Sequence, residues 1–398
     1  MGASGDFLGG HAGGHAGGHA GGHAGGLVFG DSYADALYAD ALNRNRGAIV
    51  DTRPQMNEVL WTLNDRSYPG QPGADDHLMR WEGWVRGYLA TQELIRFMDF
   101  ELAPPDTDRQ RETQVTLLIR DPAQPGKALT LCTIERPPTA VIEAQLGLVL
   151  DWAELREERM AEILTQIDNQ TPFWGSLIPI QADRLRFTRE LLDVAIQLAV
   201  FVELKFKHEL ACWRPCDYSW QVQPVITTPG HGSLPAGHAT QSYVTLEVLK
   251  ALLNARPKPS PSSPTPAGIL SVIQQMERLA ARVATNRVVA GLHFPVDNVA
   301  GRLLGTVLGE YFVHRCGQVA PTRPWSSGAF RGSKYPLRAD FDPTGQPFVA
   351  PGGVDPASYF FDYRPCSAAD LPPAPESVLS VLWRKAQAEV DALQISFK

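Results

Sequence analysis

The stretch that decides the fold runs from Lys207 to Asp297 and contains three polar segments. The first, residues 207–215, has the sequence KHELACWRP. The second, residues 234–241, is LPAGHATQ, and the third, residues 286–297, is NRVVAGLHFPVD. Their side chains include a lysine, arginines, histidines and a carboxylate. These are the groups needed to hold a multiply charged oxyanion and to transfer protons or carry out nucleophilic chemistry on it.

The cations of the first and third segments are spaced for anion binding. Lys207 and Arg214 are seven residues apart, so two helical turns place both on one face, and Pro215 predicts that the helix ends there. Arg287 adds a second planar guanidinium. Two arginines and a lysine would neutralise a trianion. The alternative is that each of the three cations forms an unrelated ion pair facing solvent.

Two histidines lie beside these cations in the sequence. Gly237 permits close backbone approach, and His238 follows it at the predicted start of a helix, where free amides bind anions. His293 and Asp297 are four residues apart, so the carboxylate can fix the imidazole tautomer and leave the other nitrogen facing the anion. The alternative for this second pair is a buried histidine bonded to a nearby aspartate for structural reasons only.

The order of the three motifs is more specific than any one of them. Lys-x6-Arg-Pro, then Pro-x-Gly-His, then Arg-x5-His-x3-Asp resembles the signature of one superfamily. That superfamily joins type 2 phosphatidic-acid phosphatases, bacterial class A acid phosphatases and vanadium-dependent haloperoxidases. The resemblance covers about 90 residues directly, and it implies one pocket for phosphate or vanadate in an α-helical bundle.

The resemblance also assigns roles. It implies that the oxyanion is bound by Lys207, Arg214, Arg287 and the amide of Gly237. It implies that His238 is the acid/base and that Asp297 orients His293. His293 would be either the phosphate-accepting nucleophile or the axial ligand to vanadium.

This chain departs from the family pattern at two positions. Ala236 stands where the family usually has serine before the Gly-His pair, so one hydroxyl hydrogen bond to the anion is lost. Such a bond to a charged group contributes roughly 1.5–3 kcal/mol, so we expect weaker anion binding at a site that still works. Asn286 replaces the serine that usually precedes Arg287, and this polar replacement changes less.

Four observations favour the haloperoxidase branch. No stretch is apolar for the ~20 residues that a membrane span needs, which disfavours the lipid phosphatases. The acid phosphatases are typically much shorter and exported, whereas this chain is long and shows no ordinary signal sequence. The motif PAGHATQ is similar to the haloperoxidase version. His231 lies seven residues before His238, where vanadium bromoperoxidases have a histidine; the alternative is a flexible loop histidine between two glycines.

The resemblance therefore implies oxidation of halide, with bromide favoured, by hydrogen peroxide at a vanadate cofactor for which phosphate competes. His238 would accept and donate the proton as the acid/base group, and Lys207 would polarise the reacting oxygen. His231 would line the halide or substrate pocket. The alternative is an acid phosphatase that forms a phosphohistidine at His293 and acts on a small organic phosphate. A third alternative, motivated by Ala236, is a degenerate phosphate or vanadate binder.

Hydrophobic periodicity predicts a mainly α protein with one small β-hairpin, and the resemblance implies that its helices form a haloperoxidase-like bundle. The hairpin is expected at residues 114–120 and 128–136. Helices are expected over residues 31–46, 81–102, 139–168, 182–212, 238–255, 269–289, 295–313 and 377–393. We expect three regions: a disordered Gly-Gly-His-Ala repeat at 1–28, an N-terminal helical part at 29–180, and a bundle at 181–398. The bundle would carry the site and a Pro/Gly-rich C-terminal wrap.

Composition limits the remaining function classes. A formal net charge of −7 argues against a nucleic-acid binder. The five cysteines show no pattern typical of a disulfide framework. With neither a spanning helix nor an ordinary signal sequence, a soluble, cytoplasmic protein is expected. Several helical faces could support a homo-oligomer.

Overall fold

The structure is a computed structural model. It describes residues 40–41, 43–44, 75–103, 113–121, 124, 126–167, 169–181, 183–254, 267–317, 325–367, 371 and 377–393. The predicted repeat at 1–28 and the proline-rich loop predicted at 256–266 lie outside these residues. Two compact units are present, one holding residues 15–86 and the other residues 1–14 and 87–398.

The helices and strands follow one another in a mixed order. The helices are α1 Asp75–Met79, α2 Gly83–Ile95, α3 Thr139–Trp152, α4 Arg156–Thr165, α5 Thr171–Gly175, α6 Arg186–Leu210, α7 Pro215–Tyr218, α8 Gly237–Asn254, α9 Ala267–Val289, α10 Pro295–Arg315 and α11 Val378–Ala392. The strands are β1 Met98–Ala103, β2 Gln114–Arg120, β3 Ala128–Glu135, β4 Trp325–Phe330 and β5 Phe361–Cys366. The prediction of a mainly α protein is therefore confirmed, although the sheet is larger than expected.

The five strands form one sheet in the order β1-β2-β3-β4-β5. The predicted hairpin is its β2–β3 pair, but the prediction of a single hairpin is wrong. Strand β1 lies inside the stretch predicted as helix 81–102, where Met98-Asp-Phe-Glu alternates apolar and polar residues after α2 has ended. Strands β4 and β5 lie in the predicted C-terminal wrap. A parallel β3–β4 contact, in which Cys132 pairs with Gly328, joins these two strands to the rest of the sheet. The local sequence pattern does not reveal a contact between segments so far apart in the chain.

Helix α8 is the centre of the bundle and is buried along almost its whole length. Helix α10 approaches it through three glycines spaced four residues apart, so all three share one face. A Cβ on Gly301 would lie 2.7 Å from the Ala236 carbonyl oxygen, and one on Gly309 would lie 2.6 Å from the Glu247 Cβ. A Cβ on Gly305 would meet the Thr240 carbonyl oxygen. The two backbones touch because these side chains are absent.

Helix α6 is fixed at both ends. At its start, Glu389 of α11 accepts hydrogen bonds from the amides of Phe187 and Thr188, each at 2.8 Å, so a neighbouring helix supplies the cap. At its end, Ala211 adopts a left-handed conformation with φ 48°. The chain then turns into Arg214, the residue preceding α7. The predicted end of this helix before Pro215 is confirmed.

Within the described residues, no helix combines the length and apolar character that crossing a membrane requires. All five cysteines are free thiols.

Candidate functional site

The three polar segments meet at one end of the bundle. Lys207 lies in the last turn of α6 and His238 in the first turn of α8. Arg287 lies in the last turn of α9, and Asp297 lies in the first turn of α10. The ends of four helices therefore bring these buried side chains together.

His293 is held in one tautomer by Asp297. Its Nδ1 lies 3.1 Å from Asp297 Oδ2, which also accepts the Phe294 amide at 2.9 Å and the Ser233 hydroxyl. Because a carboxylate oxygen only accepts, Nδ1 carries the proton and Nε2 carries the lone pair. Burial lowers the pKa of His293 well below its ordinary value, and the charge of Arg214 lowers it further. His293 therefore presents a neutral, lone-pair Nε2.

Arg214 faces that lone pair. Its Nη1 lies 2.9 Å from His293 Nε2 and donates to the Leu292 carbonyl at 2.9 Å. Its Nη2 lies 3.1 Å from His231 Nδ1 and donates to the Gly232 carbonyl at 3.3 Å. Burial lowers the pKa of Arg214 to about 10, so the guanidinium stays charged at neutral pH. The half-buried His231 is thus part of the same cluster as His293.

Arg287 is buried, and some of its hydrogen-bond donors have no acceptor among the described residues. Only its Nη2 is engaged, with the Ile163 carbonyl at 2.9 Å and Gln166 Oε1 at 3.3 Å. Among the residues that the structure describes, Nε and Nη1 have no hydrogen-bond partner. Burial lowers the pKa of Arg287 to about 9. Buried guanidinium donors of this kind are costly unless an anion accepts from them, and they therefore fit an oxyanion ligand.

His238 is oriented by a backbone carbonyl. Its Nε2 lies 2.8 Å from the oxygen of Gln166, which can only accept, so Nε2 carries the proton and Nδ1 the lone pair. Burial lowers the pKa of His238 well below its ordinary value, and the Arg287 charge lowers it further. A bound anion would oppose this effect and raise the pKa of His238, which suits an acid/base group.

Lys207 contacts the protein backbone. Its Nζ donates to the carbonyls of Gly232 at 3.3 Å, Ser233 at 3.0 Å and Pro235. These three bonds use the three ammonium donors, so Lys207 holds the loop that leads into α8. A direct bond from Lys207 to an oxyanion would require Nζ to give up one of these carbonyls.

Gly237 begins α8, whose first amides have no acceptor within the helix. A Cβ at this position would lie 2.6 Å from Glu203 Oε1, so any other residue would require the Glu203 carboxylate to move. Glu203 itself is fully buried one turn before Lys207. Burial raises the pKa of Glu203, whereas burial together with the Arg214 charge lowers the pKa of Lys207.

The two positions that depart from the family pattern have different surroundings. Ala236 is fully buried, and its amide donates to the Asp297 carbonyl at 2.9 Å. Asn286 faces α4: its Nδ2 donates to Glu162 and Gln166, each at 3.0 Å, and its Oδ1 accepts from Arg159 at 3.0 Å.

Sequence reasoning did not assign Ser233, Gln166 or Glu203 to the site. Ser233 lies in the loop before the second motif, and its Gly-rich neighbourhood gives no signal of a contact with Asp297. Gln166 lies 72 residues before its partner His238, and no local pattern could have indicated the contact. Glu203 did carry a signal, since it is a charged residue four positions before Lys207 within an apolar helical face.

The described residues thus form a mainly helical protein with buried cations, two oriented imidazoles and a carboxylate gathered in one place. Residues 191–318 match the profile of the PAP2 superfamily. The resemblance predicted from the sequence is therefore confirmed over this segment.

Two known proteins show partial similarity. The vanadium-dependent bromoperoxidase of Ascophyllum nodosum is 32% identical over 101 residues, which cover 22% of this chain. The chain spans only 18% of the length of that relative. The crystal structure of the first transmembrane PAP2 type phosphatidylglycerolphosphate phosphatase from Bacillus subtilis is 19% identical over 44% of this chain and 85% of that one. Its TM-score is 0.34, too low to support an inference about the site.

Proposed function

We propose that this protein is a vanadate-dependent haloperoxidase-like enzyme that oxidises halide, bromide in preference, with hydrogen peroxide. The observation that carries the proposal is the orientation of His293, whose lone-pair Nε2 faces Arg214 while Asp297 holds Nδ1. This nitrogen carries a lone pair that is suited to bond the central atom of an oxyanion. The similarity to a protein named as a vanadium-dependent bromoperoxidase supports the choice of branch.

The residues present fit a vanadate ligand. Arg287 offers Nε and Nη1, which have no partner within the described part of the chain. Arg214 and the first amides of α8, beginning at Gly237, would add donors, and His293 would supply the ligand nitrogen. When bound, vanadate supplies Lewis-acid activation of hydrogen peroxide without changing its own oxidation state.

The side chains of this protein have separable tasks in that reaction. Arg214 and Arg287 neutralise the oxyanion, and Asp297 keeps the proton of His293 on Nδ1. His238 accepts a proton at Nδ1, because its Nε2 proton is committed to the Gln166 carbonyl. Lys207 contributes positive charge and fixes the loop through its three carbonyl contacts. His231, in contact with Arg214, would line the halide or substrate pocket.

The second candidate is an acid phosphatase. The same lone pair on His293 Nε2 can attack phosphorus, and the phosphoryl group would move to that nitrogen as its bond to the leaving oxygen breaks. The leaving oxygen would take a proton from Nδ1 of His238, which gains that proton when the bound phosphate raises the pKa of His238. The arginines would stabilise the transferring group. The match of residues 191–318 to the PAP2 superfamily profile supports this candidate. A degenerate anion binder, motivated by Ala236, is the third.

A paired assay on one preparation freed of metal and phosphate separates these candidates. One half receives orthovanadate, hydrogen peroxide and bromide with a brominatable dye. The other half receives a chromogenic phosphate monoester without vanadate. We expect bromination that depends on vanadate; phosphate release that vanadate only inhibits would instead establish a phosphatase. No turnover in either half would support the third candidate, a degenerate anion binder without enzymatic activity.

His293→Ala is the matched variant for this assay. It removes the nitrogen that the proposal requires, so turnover and tight orthovanadate binding should both disappear. Unchanged orthovanadate affinity in His293→Ala would rule out His293 as the ligand. His208→Ala serves as the control, because His208 is exposed on α6 next to Lys207 and makes no contact with the cluster among the described residues.

A further inference from the structure

Gln166 touches the candidate site from outside the three motifs. It follows α4 and is 1% exposed. Its backbone oxygen accepts from His238 Nε2 at 2.8 Å, and its side-chain Oε1 accepts from Arg287 Nη2 at 3.3 Å. Asn286 Nδ2 also donates to Oε1, at 3.0 Å. One residue therefore contacts both the proposed acid/base and the arginine with unused donors.

These contacts fix which end of the Gln166 amide is oxygen. Guanidinium and primary-amide nitrogens of Arg287 and Asn286 only donate, so the atom that they share must be the acceptor oxygen. The amide NH₂ then points away from both. Gln166 Nε2 is buried and, within the described ranges, bonds to no other group. A buried NH₂ without an acceptor costs free energy comparable to that of a lost hydrogen bond.

Three buried donor atoms thus have no partner among the residues that the structure describes: Gln166 Nε2, Arg287 Nε and Arg287 Nη1. They lie on two side chains that are bonded to each other. An oxyanion with several oxygens can accept hydrogen bonds from donors on both side chains, whereas one water molecule has only two acceptor sites.

We infer that Gln166 is a further oxyanion-binding side chain of this site, and that its Nε2 donates to the anion. The inference rests on the proposed oxyanion site. It names the ligand chemistry as a tetrahedral or trigonal-bipyramidal oxyanion, phosphate or vanadate.

The test uses the near-isosteric change Gln166→Glu in the full-length protein. The carboxylate keeps an acceptor for Arg287 and Asn286 but replaces the donor NH₂ with a negatively charged oxygen. We expect its affinity for orthovanadate and for inorganic phosphate, measured by calorimetric titration, to fall at least about tenfold, since hydrogen bonds to charged groups are of this magnitude. Gln166→Leu should weaken binding as well, and adding Ala236→Ser to it should restore part of the affinity.

Gln197→Leu is the matched control. Gln197 is also a buried glutamine, 9% exposed, and its Oε1 accepts from Thr91 at 2.8 Å. It lies ten residues before Lys207 on α6, about 15 Å along the helix at 1.5 Å per residue. Its replacement should lower thermal stability without changing the dissociation constant of either anion.

A second measurement uses only the wild-type protein and so does not depend on whether a variant folds. In wild-type protein labelled with ¹⁵N at glutamine, saturation with orthovanadate should move the Gln166 side-chain NH₂ resonances and leave those of Gln197 in place. Unmoved Gln166 resonances on an anion-saturated protein, or wild-type affinity in Gln166→Glu, overturns the inference alone. If wild-type protein binds neither anion, the proposed function fails first, and the inference fails with it.

Discussion

Arg287 should favour oxyanion binding and, in the absence of an anion, lower the stability of the fold. Its buried guanidinium makes two hydrogen bonds and, as far as the structure describes the chain, leaves Nε and Nη1 without partners. We predict that Arg287→Met stabilises the protein in the absence of oxyanions and removes its response to them. The reason is that methionine fills a similar volume without a charge to desolvate.

The magnitude follows from the pKa. Burial lowers the pKa of Arg287 to about 9, several units below the ordinary value of an arginine side chain. At 1.36 kcal/mol per unit, this shift corresponds to roughly 5 kcal/mol against the charged form. Loss of two charged hydrogen bonds offsets roughly 3 kcal/mol of this gain. The net expected stabilisation is about 2 kcal/mol, which raises the melting temperature by a few degrees.

The assay is thermal unfolding followed by circular dichroism in a buffer free of phosphate and sulfate, repeated with phosphate. At a phosphate concentration one hundred times its dissociation constant, wild-type protein should gain about 2.7 kcal/mol and the variant nothing, so their order reverses. The free-energy penalty on the charged Arg287 is fully present below its folded pKa and is relieved as pH rises from about 9 toward the higher pKa of the unfolded chain. The anion-free difference should therefore shrink above that lower pH.

Arg156→Met provides the comparison. The Arg156 guanidinium donates to the carbonyls of Val289 at 3.0 Å and Val222 at 2.7 Å. This variant should lose stability with and without phosphate and keep the phosphate response. An Arg287→Met protein that melts below wild type in anion-free buffer, or that phosphate stabilises as it does wild type, would refute the reasoning.

Four further predictions concern the same region. Ala236→Ser should tighten orthovanadate binding about tenfold by titration, and unchanged or weaker binding would mean that position 236 does not face the anion. Gly305→Ala should destabilise the fold, because its Cβ would meet the backbone of α8, whereas the control Gly147→Ala, at an open helical position, should gain roughly 1 kcal/mol. The loss at Gly305 should be several times larger than that gain; equal melting temperatures of the two variants would show that α8 and α10 are not in contact there. Because burial raises the pKa of Glu203, Glu203→Gln should tighten phosphate binding more at about pH 8, where the carboxylate is ionised, than at about pH 6; a gain independent of pH would contradict this. Nitrogen NMR of anion-free protein should show His238 with its proton on Nε2, and a proton on Nδ1 would contradict the contact with the Gln166 carbonyl.

Much of the fold was predictable because its helices have local signals. Apolar periodicity located α6, α8, α9, α10 and α11 to within a few residues of their observed ends, and Pro215 marked the end of α6. The β2–β3 hairpin was found in the same way. Strand β1 was assigned to a helix because four alternating residues directly follow α2. Strands β4 and β5 were missed because their partners are far away in the chain.

The candidate site, like the fold, was predictable from the sequence only where its residues lie close together in the chain. Chemistry that depends on spacing within one segment was visible in the sequence: His293 with Asp297, and Gly237 with His238. The side chains that complete the cluster were not, since Ser233 and Gln166 come from a loop and from the end of a distant helix. Division of the chain at residues 28 and 180 and the cytoplasmic location remain predictions.

The sequence by itself determined the order of the three motifs, the types of reactive group and the helices that carry them, because each depends on residues close together in the chain. Only the tertiary structure decided which atoms those groups present. The tautomer of His293 depends on Asp297, that of His238 on a carbonyl 72 residues away, and the unused donors of Arg287 on what packs around them. Protonation and hydrogen-bond satisfaction are properties of a buried environment, and that environment exists only once distant segments have packed together.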